Sequence, residues 1–185
     1  MKYLARFSLL IVCMCLAGCI PSLNGLYSEK TATFSDQLLG AWTGPGNNVH
    51  FLFTADATRP FYKLIYVEDK SPPVVFRAAL ARLGGALYLD IVPLAPEAAA
   101  QNSYFGLHVT LWHSFAKIDI SAKQLHLRLA DPAWLEKQLA ANPGALPHFS
   151  SQGIQYLTAD TASLQAFVTT HDALFEAKPT LFARE

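Results

Sequence analysis

The sequence predicts a mainly β domain, α+β by content: an antiparallel barrel or strongly curved sheet of about seven or eight strands, followed by two C-terminal helices. Between Leu38 and Ala130, short apolar runs are separated by clusters of Gly, Pro, Asn and Asp at the spacing of strands and turns. Several runs alternate with period two, as Leu125, Leu127 and Leu129 do against Gln124, His126 and Arg128. Beyond Asp131 the apolar spacing becomes helical.

The N-terminus has a different grammar. Lys2 and Arg6 precede an apolar stretch from Phe7 to Leu16, and Ala17 and Gly18 are small residues of the kind a signal peptidase accepts. About ten apolar residues are too few for a spanning helix, which needs roughly 20, so the stretch is expected to be a removable export signal. The tetrapeptide Leu16-Ala17-Gly18-Cys19 resembles the lipobox of bacterial lipoproteins. That resemblance implies cleavage between Gly18 and Cys19, removal of residues 1–18, and acylation of Cys19 as a membrane anchor. In a cell with two membranes, Ile20 after the cysteine implies delivery to the outer membrane, facing the periplasm. The whole chain resembles the small lipoproteins of the bacterial envelope.

Losing Lys2 and Arg6 with the signal takes the 14 basic side chains to 12, against 14 acidic ones. Such a balance gives no electrostatic footprint for nucleic acid or for an anionic membrane surface. Cys13 and Cys15 also leave with the signal, so Cys19 remains as the one mature cysteine and no internal disulfide can form. A core must hold the fold, and residues 19–185 suffice for a single domain.

Residues 19–35 contain Pro21, Asn24 and Gly25 without a sustained period, and are expected to be a lipid-anchored tether to a domain spanning 36–185. Tyr27 and Phe34 leave open a packed arrangement, which would keep the domain near the membrane. The first strand is expected at Leu38–Thr43 and contains Gly40-Ala41-Trp42. This resembles the Gly-x-Trp of lipocalins and lipocalin-like domains, where the Trp closes one barrel end under an Arg from a late strand. Arg128 is the position that the resemblance offers for that Arg, although its parity opposes the leucines. The Thr-Asp-Tyr motif of lipocalins is absent.

Further strands are expected at Val49–Thr54, Phe61–Val67, Val74–Leu83 and Ala86–Val92. Gly84-Gly85 has hairpin turn chemistry between the last two. Helix remains an alternative for Phe76–Leu83, whose alanines and leucines favour it. A loop over Pro93–Gly106, with one helical turn near Glu97–Ala100, leads to a long strand at Leu107–Ile120. The parity of that strand slips near Ser114, which a bulge would reconcile. Lys123–Ala130 is the last long strand. Asp131-Pro132 starts a helix ending at Asn142-Pro143-Gly144, Gly153–Leu157 is a short strand, and Thr158 caps a second helix to about Thr170.

No Gly-x-Ser-x-Gly, His-Glu-x-x-His, Cys-x-x-Cys or phosphate-binding Gly loop is present. No cofactor or metal set is expected, and no residue has a catalytic signature. His113 and Asp90, each inside an apolar run, form a candidate couple that pins two strands, with catalysis as the other use of the pair. Trp42, Tyr62, Tyr66, Tyr88 and Trp112 are the candidates to line an apolar ligand pocket, or equally to fill a core. The expectation is a lipid-anchored, non-enzymatic envelope protein that acts as a scaffold or through a protein partner. A lipocalin-like carrier of an apolar small molecule is the alternative, and an enzyme using Asp90 and His113 is the third.

Overall fold

The computed structural model describes residues 20–58, 60–95 and 103–185. Residues 1–19, including the lipobox and Cys19, and the turn expected at Glu97–Ala100 lie outside the described residues. The described residues form eleven strands: β1 (Ala32–Thr33), β2 (Gly40–Thr43), β3 (Val49–Ala55), β4 (Tyr62–Glu68), β5 (Val74–Leu83), β6 (Ala86–Pro93), β7 (Ser114–Ile120), β8 (Gln124–Leu129), β9 (His148–Ser151), β10 (Ile154–Leu157) and β11 (Thr180–Arg184). The helices are α1 (Ser103–Gly106), α2 (Pro132–Ala141) and α3 (Thr161–Thr170), and no described helix is long and apolar enough to cross a membrane.

Eight strands close an antiparallel barrel in the order β2-β3-β4-β5-β6-β7-β8-β11, with β11 returning to β2. Eight is the number at which side chains can just fill the interior. Here they do: Trp42, Phe51, Phe53, Tyr62, Leu125 and Phe182 point along the axis and are each at most 8% exposed. Small residues face large ones, as where Ala78 pairs with Tyr62 across β4 and β5.

A second core lies outside the barrel. Ala81, Leu83, Tyr88 and Phe115, on the outer wall of β5–β7, pack against Leu135 and Leu139 of α2, Leu164, Phe167 and Val168 of α3, and Ile20 and Leu26 of the N-terminal segment. β5 is therefore buried on both faces from Ala78 to Ala81, which removes its alternation and explains why its sequence also suited a helix. The pairing of β5 with β4 and β6 settles it as a strand. Gly84 and Gly85, both at positive φ, turn the β5–β6 hairpin.

Four expectations need correction. The strand foreseen from Leu107 begins only at Ser114. β6 pairs with β7 only as far as Ile91 opposite Ser114, because the main chain of His113 is taken up by Ser22, and the parity slip marks the end of a loop rather than a bulge. The cap of the second helix is Asp160, whose Oδ1 accepts the Ser163 N–H at 2.8 Å. Thr158 and Ala159 still donate their N–H groups to Pro147 O, so the chain is not yet free to coil there. Arg128 points outward, with Nη1 3.4 Å from Asp119 Oδ2; the guanidinium over Trp42 belongs to Arg184 of β11. Of the two arrangements open for Ile20–Ser35, the chain takes the packed one: Ile20, Ser22 and Leu26 are buried.

Candidate functional site

Two constellations stand out, one closing an end of the barrel and one fixing the N-terminal segment to its wall.

At the closed end, a 3-10 turn at Asp36–Leu38 leads into β2, and the Trp42 Nε1–H donates to Leu38 O at 2.9 Å. The Arg184 guanidinium carbon lies 4.1 Å from the Trp42 ring centroid. Its Nη1 donates to Leu39 O at 2.6 Å, its Nε to Ala122 O at 2.8 Å, and its Nη2 to Gln37 O. One side chain thus ties together the turn before β2, the β7–β8 turn and β11. Gly40 makes room for it: φ there is +111°, and a Cβ would lie 2.9 Å from Arg184 Nη1. Beside it, Glu185 accepts from the Thr43 hydroxyl and from His50, and these bonds, that from Thr43 first, hold its carboxyl below the usual carboxylate range.

On the outer wall, Asp90 is 1% exposed, and both of its oxygens are engaged. Oδ1 accepts the His113 Nδ1–H at 2.7 Å and Oδ2 accepts the Leu26 N–H at 2.7 Å. The pairing expected from the sequence exists, and its third member is the backbone of Leu26. Around it the segment 20–27 is bonded on both sides. Ser22 exchanges backbone bonds of 2.9 and 2.8 Å with His113. Thr161 Oγ1 and Gln165 Nε2 of α3 donate to Gly25 O and Leu26 O, each at 2.9 Å. A Cβ on Gly25 would lie within 3.0–3.2 Å of the Tyr27 and His113 rings, so glycine is required by space. Burial raises the Tyr27 phenol above its ordinary pKa, and the Asp90 charge adds to the effect while Arg77 opposes it.

This arrangement resembles a latch more than a catalytic dyad. The Ser22 hydroxyl, next to His113 through the backbone pairing, donates to Asn24 O at 2.7 Å and makes no bond to the imidazole. Among the described residues, no buried side-chain polar atom lacks a partner, and no group of three or more His, Cys, Asp or Glu side chains could hold a metal ion. The remaining histidines are bound locally: His108 to Tyr104 O, His126 to Gln124 Oε1, His148 to Leu146 O, and His171 to Phe167 O at the end of α3.

The five aromatic candidates do not meet in one place. Trp42, Tyr62 and Tyr66 share the barrel interior, and the Tyr62 hydroxyl is committed to the Ser35 backbone. Tyr88 belongs to the outer core. Trp112 stands before β7, its ring 5.1 Å from Tyr156 and 6.4 Å from Phe149 of the β9–β10 hairpin. Sequence reasoning missed Arg184 and Leu26. The first stands on a five-residue strand beyond the helices, which no local pattern sets apart; the second acts through its main chain, which no residue type announces. Comparison with protein-family models, with curated proteins and with solved structures returned no match to this chain.

Proposed function

We propose that the protein is a lipid-anchored component of the cell envelope, held by acyl chains on Cys19, and that it acts as a non-enzymatic scaffold or through a protein partner. The observation that carries this reading is the Leu16-Ala17-Gly18-Cys19 tetrapeptide, with its charged and apolar regions upstream. Two structural features support the non-enzymatic part. The Asp90 carboxylate is spent on a backbone N–H and a histidine, and the barrel axis is occupied by its own aromatic side chains. Ile20 in place of Asp after the anchor favours the outer membrane where the cell has one, and the partner is then an envelope protein. Replacing Cys19 with Ser and fractionating the cells tests the reading: wild type sediments with membranes, and C19S is released in unacylated form. Retention of C19S on membranes overturns it.

The carrier reading has its own support, the barrel closed at one end by Arg184 and Trp42. It requires an apolar molecule inside a barrel whose axis is filled. Native mass spectrometry of protein from the membrane fraction decides: a bound lipid lost on Tyr66→Ala favours the carrier, and protein without bound ligand favours the scaffold.

A further inference from the structure

Residues 20–28, 98–116 and 138–159 of the mature chain lack Asp, Glu, Lys and Arg altogether, as do 37–55 in β2 and β3 across the barrel and 161–171 in α3. Far apart in sequence, the described parts of the first three meet beside the N-terminal segment. Ser22 pairs with both His113 and Leu157, Leu157 N–H donates to Pro21 O at 2.9 Å, and Leu23 N–H donates to Leu157 O at 2.8 Å. Trp112 packs across the same junction on the hairpin. On the hairpin's outer side, Phe149 and Tyr156 are cross-strand partners with rings stacked at 4.9 Å, and Ile154 follows on the same face by strand parity. Phe149 is 46%, Ile154 44% and Leu23 45% exposed, and in the loop before Trp112 Leu107 is 83% exposed.

We infer that this uncharged aromatic face is seated in the interface of the bilayer that holds the acyl chains of Cys19. The inference rests on the lipid-anchor reading and adds an orientation to it. Distance is the first reason for choosing a membrane over a protein partner. Pro21 is already bonded to the hairpin, so Cys19 is separated from it by two residues, at most about 7 Å of extended chain. Each headgroup layer is itself about 5–8 Å deep, so an acylated Cys19 places the hairpin at headgroup level without any spacer. Composition is the second. Trp and Tyr beside exposed aliphatic side chains are the residues that lie at membrane–water boundaries, and an uncharged surface loses little hydration on entering one. The face lies in the sector around β6, β7 and the hairpin; Glu68 at the end of β4, with Asp69 and Lys70 in the β4–β5 turn, puts charge on the rim beyond β5. The opposite wall, around β3, is left facing the aqueous compartment and any protein partner.

The mature chain has no thiol besides that of Cys19, so one introduced cysteine is labelled cleanly. The lipidated protein carrying Ile154→Cys, and separately Leu52→Cys on the outer wall of β3, is spin-labelled and reconstituted in vesicles of phosphatidylethanolamine and phosphatidylglycerol. Accessibility to a water-soluble nickel chelate and to oxygen is then measured by electron paramagnetic resonance. The expected result is loss of nickel accessibility and gain of oxygen accessibility at position 154, with position 52 fully aqueous. Protein that floats with the vesicles but shows both positions equally aqueous overturns the docking face and leaves the anchor standing. Protein that carries no acyl chain and does not float overturns the anchor and the docking face together.

Discussion

Arg184 is expected to contribute more to stability than any other exposed-end side chain, and the structure gives its magnitude. Replacing it with Ala removes three bonds from a charged donor to main-chain carbonyls and one cation–π contact at 4.1 Å. Charge-assisted bonds of this kind are worth about 1.5–3 kcal/mol when dry. Arg184 is only partly buried, so water can re-solvate the freed carbonyls, and about 1 kcal/mol per bond is the better figure. With about 0.5–1 kcal/mol for the ring contact, the loss is about 3.5–4 kcal/mol, a fall in Tm of roughly 7–16 °C for a chain of this length. Urea unfolding followed by far-UV circular dichroism measures it, with the m-value unchanged if only stability has moved. Arg184→Lys keeps the charge but not the planar fork, and should recover less than half of the loss. Arg128→Ala is the control. Its contact with Asp119 is exposed and 3.4 Å long, and its removal should shift stability by no more than about 0.5 kcal/mol. The reasoning fails if Arg184→Ala unfolds within about 0.5 kcal/mol of wild type, or if the Arg128 variant loses as much.

Gly40→Ala should cost about 1–3 kcal/mol in the same assay, because φ of +111° is strained for any L side chain and the new methyl meets Arg184; an unchanged midpoint would show that the guanidinium is free to move aside. Asp90→Ala strands the Leu26 N–H and the His113 imidazole, an expected loss of about 2–4 kcal/mol. Hydrogen exchange should show the 20–27 amides opening first in that variant, and protection equal to wild type would refute the latch. The Asp160 carboxyl is held below its ordinary range, chiefly by the Ser163 N–H and then by the Ser163 side chain. A carboxylate lowered in the folded state stabilises fully above its unfolded pKa, near 3.8, and that contribution is lost as the pH falls through the lowered folded value. Asp160→Asn should therefore narrow the stability difference between pH 7 and pH 3, and an unchanged difference would mean the cap does not titrate with folding.

Much of the barrel was legible because its strands have one face on the axis and one toward water. β4, with Tyr62, Leu64 and Tyr66 inward, and β8, with three inward leucines, announce themselves by period two. Legibility failed where that asymmetry failed. β5 is apolar on both faces because α3 and the N-terminal segment cover its outer side. β9 carries serines on a polar run, and β11 is five residues long and follows the helices, so neither stands out by pattern. The 20–35 segment has the composition of a tether because most of its bonds to the barrel are made by the main chain. Of the latch, polar residues inside apolar runs pointed to His113 and Asp90 but not to the amide that completes it, and the strand assumed from Leu107 to His113 is a loop. Of the closed end, Trp42 was found and its arginine misplaced, since parity within β8 could only argue against Arg128 and nothing local pointed to β11.

The account depends most on what Cys19 carries, since the anchor, the orientation and the expected location all follow from it. Intact-mass and N-terminal peptide mass spectrometry of protein from the membrane fraction measures that directly. The predicted result is a mature chain beginning at Cys19 and bearing more than one acyl chain, because a single chain gives only marginal, reversible membrane binding. A chain that retains Met1, or one cleaved elsewhere with Cys19 unmodified, would contradict the account.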